Sequence, residues 1–123
     1  VRQDGRVTLE ELSARQRAFS DARAWGPFHT PKNLVMALSG EVGELTELFQ
    51  WLTPDEATAA PDDPATRARI EDELADVLLY LVRLADVLGV DLLAAGHAKI
   101  DRNEVRFPAG VGKGALDKVE RDS

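Results

Sequence analysis

The sequence contains no cysteine. That excludes a disulfide framework and any metal held by thiolates, and it leaves the redox compartment unreadable. Histidine is scarce as well: His29 and His97 are the only two, and neither falls in the Glu-x-x-His spacing that a di-iron carboxylate bundle requires. No apolar run is long enough to cross a bilayer and no signal-peptide pattern opens the chain, so a soluble, cytoplasmic protein without a membrane partner is expected. Strand signals are nearly missing, since Val and Ile are dispersed among Leu, Ala and Glu with no sustained alternation. Positive charge is also short. Fifteen Lys and Arg face 22 Asp and Glu, for a net charge of −7, which argues against nucleic acid as a partner because phosphate neutralisation needs clustered cations. A ligand carrying phosphates would need a cation between itself and this protein.

What is present is helical pattern. The 123 residues, 44% of them hydrophobic, fit one domain with a modest core. Four main helices are expected. The first starts at Thr8, where Thr8 and Glu11 make a capping-box pattern, and runs to about Arg23. The second follows the cap-plus-proline pair Thr30-Pro31 and continues to about Trp51. A loop rich in Pro, Asp and Ala, with room for one helical turn, covers 53–64. The third helix extends from about Ala65 to Leu88 and stops at Gly89; Asp91 caps the fourth, which lasts to about Arg106. Residues 1–108 form the expected domain and 109–123 an expected flexible tail, rich in glycine and charge. The architecture is a four-helix, all-α bundle, whose helices would cover more apolar surface by assembling with further copies.

Two of these helices carry acids where apolar residues belong. Projected at about 100° per residue, the second helix lines up Leu34, Leu38, Val42, Leu45, Leu48, Phe49 and Leu52, and Glu41 falls inside that stripe. Glu44 lies at its edge and Glu47 further towards the polar side. In the third helix Glu73, Asp76 and Tyr80 share one sector beside the apolar run VLLYLV, which reads as buried. A single E-x-x-E on a helix is most often a solvated ion pair or a cap. Acids answering each other from two buried faces must instead be neutralised, paired or bound to a cation. Arg83 is the only basic residue in that sector and cannot offset four acids. A divalent cation can, and an all-oxygen ligand set suits Mg²⁺, with Mn²⁺ as a possible substitute, better than zinc.

Groups suited to a nucleotide surround these acids. Lys99 and Asn103 lie one turn apart on the fourth helix with Arg102 and Arg106 to one side, a face able to hold phosphate or sugar oxygens. Taken alone it is an ordinary basic helix C-terminus. Trp25, Phe28, His29, Trp51 and Tyr80 stand at helix ends or beside the acids, where rings can stack on a base or pack the core; for Phe28 the core is the preferred place. Gly40 and Gly43 weaken the second helix, and crowding by a neighbouring helix or subunit is the expected reason for them.

The E-x-x-E pair Glu41 and Glu44, the E-x-x-D pair Glu73 and Asp76, and the framing segments WGPFHTPKNLVMALSGEVGELTELFQW, ELADVLLYLVRLADVLGVDL and KIDRNEVRFP together resemble the all-α nucleoside triphosphate pyrophosphohydrolases of the MazG superfamily. Over roughly residues 9–108 they are similar to its dCTP pyrophosphatase group. The resemblance implies hydrolysis of a dNTP between the α and β phosphates, with dCTP or a modified dCTP as the substrate and pool housecleaning as the role; a dUTP or broad dNTP preference is the alternative. It implies that Glu41, Glu44, Glu73 and Asp76 bind Mg²⁺, that Trp25, His29, Trp51 and Tyr80 line a nucleoside pocket, and that Lys99 and Asn103 help hold the substrate. Glu41 and Glu44 are the expected catalytic pair, and Glu44 or Glu47 would orient the attacking water. A homo-oligomer, dimer or tetramer, is implied too. Gln16 departs from the pattern, standing where the animal enzymes have a substrate-contacting histidine. From another class, a non-catalytic helical oligomer that binds nucleotides could retain the same acids.

Overall fold

Helix caps written into the sequence set the element boundaries. The computed structural model describes residues 7–110. Helix α1, Leu9–Ala22, starts at the expected capping box: Thr8 Oγ1 accepts from Glu11 N at 3.1 Å and Glu11 Oε2 accepts from Thr8 N at 3.4 Å. It ends where Ala24 turns to a positive φ of 55° and Trp25 N donates to the Ser20 carbonyl at 3.0 Å. One 3-10 turn, Gly26–Phe28, leads into α2, Pro31–Phe49, capped by Thr30 and stiffened by Pro31 at its first position.

The segment expected as a loop is itself partly helical. Thr53 and Glu56 make a second capping box around Pro54, which nucleates the six-residue α3, Pro54–Ala59, followed by a 3-10 turn at Ala60–Asp62. The described residues therefore contain five α-helices rather than four. The second helix also stops at Phe49 rather than near Trp51, because Leu52 N turns back to the Phe49 carbonyl at 2.9 Å. Helix α4, Pro64–Leu88, begins with Asp63 Oδ2 accepting from both Thr66 N and Thr66 Oγ1, and ends at Gly89 with φ 69°, the left-handed conformation that glycine adopts without steric cost. There Val90 N returns to the Ala85 carbonyl at 2.8 Å.

The chain divides into two compact units, one reaching through Val90 and one starting at Asp91. In the first, α2 and α4 pack most extensively on each other, and α1 packs on α4. Leu34 from α2 and Ile70, Val82 and Ala85 from α4 are its buried apolar residues among those described. The second unit contains α5, Leu92–Arg106, capped by Asp91 Oδ1 on Ala94 N at 3.0 Å. Residues 111–118, and the rest of the expected tail to 123, lie outside the described residues. No described helix is long and apolar enough to cross a membrane.

The apolar run on α4 is less buried than its composition implies. Val82 is buried, yet Leu74, Leu78, Leu81 and Leu88 are exposed, as are Val35, Met36 and Val42 on α2. A helix that is apolar on most sides needs two packed faces, and within one copy α4 finds partners for only part of its circumference.

Candidate active site

The long α2 and α4 run against each other so that the acids of both meet. One carboxylate oxygen from each of Glu41, Glu44, Glu73 and Asp76 falls within 4.8 Å of the others. Spacing explains the convergence: residues three apart in a helix lie on neighbouring positions one turn apart, so each helix presents a pair. Glu41, Glu73 and Asp76 are half-buried and Glu44 is exposed. Glu41 Oε2 and Glu73 Oε2 are buried with no hydrogen-bond partner.

Desolvation first, then the neighbouring Glu44 and the charges of Asp76 and Glu73, push the Glu41 carboxyl up to about 7. Burial, followed by Glu44, Asp76 and Asp72, raises Glu73 as well. Among the described residues no Lys or Arg ion-pairs with any of the four. Arg83, expected beside the acids, is instead committed elsewhere: its Nε donates to His29 Nδ1 at 3.0 Å and its Nη1 to Asp86 Oδ2 at 3.0 Å. Four carboxylates, two of them with an orphaned buried oxygen, and no ion-paired Lys or Arg among the described residues form a donor set that a hard divalent cation fits.

The other residues singled out by the sequence fall on several elements. Trp25 and His29, on either side of the first 3-10 turn, are in edge contact with ring centroids 6.0 Å apart, and Trp25 meets Phe19 of α1 edge-on at 5.5 Å. Tyr80 is half-buried on α4 one turn beyond Asp76. Trp51 sits on the turn after α2 and is 86% exposed, so one copy of the chain gives it no stacking partner among the described residues. Phe28, expected in the core, is 69% exposed. Lys99 and Asn103 both lie on α5, where Asn103 lends its carbonyl to the C-terminal cap at Phe107. Glu47 is not in the acid cluster; with Leu52, Glu56, Asp63, Thr66 and Arg69 it lines a separate open cavity of about 490 Å³. A Cβ at Gly40 or Gly43 would meet nothing within 4 Å, so crowding by a described helix of the same chain is not their reason.

Two features were missed by sequence reasoning. Asp86 is held below the usual carboxylate range by Arg17 and then Arg83, against its own desolvation, and Arg17 grips it at 2.6 and 3.1 Å. Gln16 Nε2 donates to the Leu79 carbonyl at 2.8 Å while its Oε1 is buried without a partner. Leu79, Arg83 and Asp86 do share one helix face, a signal available in the sequence, but nothing there says which distant groups meet it.

Among the described residues, an all-helical fold gathers two carboxylate pairs, E-x-x-E and E-x-x-D, into a cluster that could hold a metal ion. The chain belongs to the MazG-like family, which matches residues 36–118. It is 45% identical over 111 residues to dCTP pyrophosphatase 1 of Homo sapiens and 44% identical over the same length to that of Rattus norvegicus, in each case over 90% of this chain. The matches span 65% of the length of these mammalian relatives. A pyrophosphatase from Archaeoglobus fulgidus superposes with a TM-score of 0.77 at 39% identity, over 84% of this chain and 94% of that one.

Proposed function

We propose that this protein is a Mg²⁺-dependent nucleoside triphosphate pyrophosphohydrolase that cleaves a dNTP, dCTP or a 5-modified dCTP foremost, to the monophosphate and pyrophosphate. The observation that carries this reading is the four-acid cluster with its two orphaned buried oxygens. Similarity to proteins named for dCTP pyrophosphatase and pyrophosphatase activity supports it.

Glu41, Glu44, Glu73 and Asp76 would hold the cation. When bound, Mg²⁺ supplies neutralisation of the polyphosphate and Lewis-acid polarisation of a phosphoryl oxygen. Water attacks the α phosphorus, the bond from that phosphorus to the bridging oxygen breaks, and pyrophosphate leaves. Glu44 is the group we assign to orient that water and accept its proton: it belongs to the cluster yet faces solvent, whereas Glu47 lines the other cavity. Trp25, His29, Trp51 and Tyr80 bind the nucleoside, and Lys99 and Asn103 hold the substrate from α5. Pyrophosphate measured from each canonical and 5-substituted dNTP tests the reading: dCTP or a modified dCTP should lead, a dUTP lead would overturn the base assignment, and inorganic phosphate as the sole product would overturn the reaction.

The same reading includes a homo-oligomer in the cytoplasm. Exposed Leu74, Leu78, Leu81 and Leu88 on α4, with Val35 and Val42 on α2, support a second copy covering them. The fully exposed Trp51 supports a nucleoside pocket completed by that copy. Gly43, uncrowded by the described residues, then serves close approach between copies. Gly43→Leu is expected to lower the oligomeric mass seen by light scattering while Mg²⁺ binding persists; an intact oligomer would count against this placement.

A further inference from the structure

Leu79, Arg83 and Asp86 stand at i, i+4 and i+7 on α4, and their common face receives Gln16 and Arg17 from α1 and His29 from the segment before α2. Arg83 is 7% exposed. A guanidinium buried that deeply has five N–H donors and no acceptor, and it keeps its charge, so its partners must accept. Asp86 Oδ2 is one, at 3.0 Å, and His29 Nδ1 is the other, at 3.0 Å.

The second contact dictates the state of the histidine. A nitrogen that accepts from Arg83 carries no proton, so the single ring proton of a neutral imidazole resides on Nε2. Flipping the ring would set a C–H against the buried Arg83 Nε–H and leave that donor unpaired. Protonating Nδ1 would set two donors and two positive charges against each other. The charged groups that bear on the ring among the described residues act in the same sense: burial and then the Arg83 charge hold His29 below its ordinary range, while Asp86 is already engaged by Arg83 and doubly by Arg17. Trp25, in edge contact with the imidazole, limits its tilt.

We propose that Arg83 is a positioning residue, which fixes His29 as an uncharged Nε2–H donor that reads a neutral acceptor on the nucleoside of the substrate, not its phosphates. The inference rests on the pyrophosphohydrolase reading. An imidazolium would be the better phosphate ligand, and this arrangement forbids it. A fixed neutral donor suits a base carbonyl or a sugar oxygen, where a misplaced hydrogen bond is discriminated by geometry.

The test uses the full chain labelled with ¹⁵N. Long-range ¹H–¹⁵N correlation spectra identify the tautomer and titration of His29, with His29→Gln for assignment and His97 as internal reference. The wild type should show Nε2 protonated and Nδ1 unprotonated, with a midpoint below the ordinary histidine range. Arg83→Met should raise the His29 midpoint and mix the tautomers; Arg83→Lys, which keeps a cation for Asp86 without the planar fork, should also lose the single tautomer. With Mg²⁺ present, dCMP should shift His29 Nε2 and bind about tenfold more weakly to Arg83→Met, the worth of one positioned hydrogen bond. Pyrophosphate should bind both proteins equally. An Nδ1-protonated His29 in the wild type, or an unchanged titration in both variants, would overturn the proposal. So would equal weakening of dCMP and pyrophosphate. These binding readouts need no turnover, so absence of pyrophosphate release would sink the proposed reaction while leaving the role of Arg83 to be judged by the spectra.

Discussion

Glu41→Gln and Asp76→Asn are each expected to reduce pyrophosphate release from dCTP on the order of a hundredfold or more, with little loss of folded protein. Even partners that merely orient a metal ligand are worth roughly 10–100-fold in affinity or activity, so a direct ligand should be worth at least as much. Both replacements keep shape and remove charge. Glu41 sits desolvated among three other carboxylates, so its neutral amide relieves repulsion in the cation-free protein and should leave the fold as stable or more so. Loss of activity with stability intact separates a cation-binding role from a structural one. The check is steady-state pyrophosphate release at saturating Mg²⁺, beside thermal unfolding of the same variants. Activity within a factor of a few of wild type in both would remove the acid cluster from the reaction.

The second large effect is a dependence of stability on pH that Mg²⁺ reverses. The Glu41 carboxyl is raised in the folded state from 4.5 to about 7, and Glu73 moves in the same direction. Between those two values for Glu41 the folded chain binds a proton that the unfolded chain has released, so the free energy of unfolding falls as pH rises through this window. By pH 8 the folded state carries the full repulsion. Without a cation, in EDTA, the unfolding temperature should therefore drop by several degrees from pH 5 to pH 8. Asp86 and His29 act in the opposite sense: the window of Asp86 lies below its ordinary value of 3.8, outside this range, while that of His29 lies below 6.5 and offsets part of the fall at the acid end. On the proposed function Mg²⁺ would bind the deprotonated acids, so the stabilisation it confers should grow over the same interval and cancel the drop. Glu41→Gln should flatten the slope in EDTA. A rise in unfolding temperature from pH 5 to pH 8 in EDTA would show that the cluster is not desolvated as the structure has it.

Much of the fold was legible because helix boundaries are local chemistry. Thr8 with Glu11, Thr30 with Pro31, Asp63 with Pro64, Gly89 and Asp91 act on residues a few positions away, and each cap stands where the sequence puts it. The short helix α3 carries the same kind of signal in Thr53, Pro54 and Glu56. Six residues leave too little periodicity to show more than the one helical turn expected in that loop. VLLYLV is less buried than its composition implies for a different reason: composition reports that a surface wants covering, and only packing reports whether this copy of the chain covers it.

The candidate site divides along the same line. Three-residue spacing alone determined that Glu41 pairs with Glu44 and Glu73 with Asp76, since the helical repeat puts each pair on one side. That the two pairs meet within 4.8 Å was decided by the packing of α2 on α4, as was the diversion of Arg83 to His29 and Asp86. His29 and Arg83 are 54 residues apart, and no local rule couples groups at that distance. An acidic chain whose described residues are helix and turn, with two carboxylate pairs, can be read without coordinates, because propensity, capping and helical period act over a few residues. Tertiary structure decided which cation stands beside which anion, because charges buried at long sequence separation are matched only when whole helix faces come together.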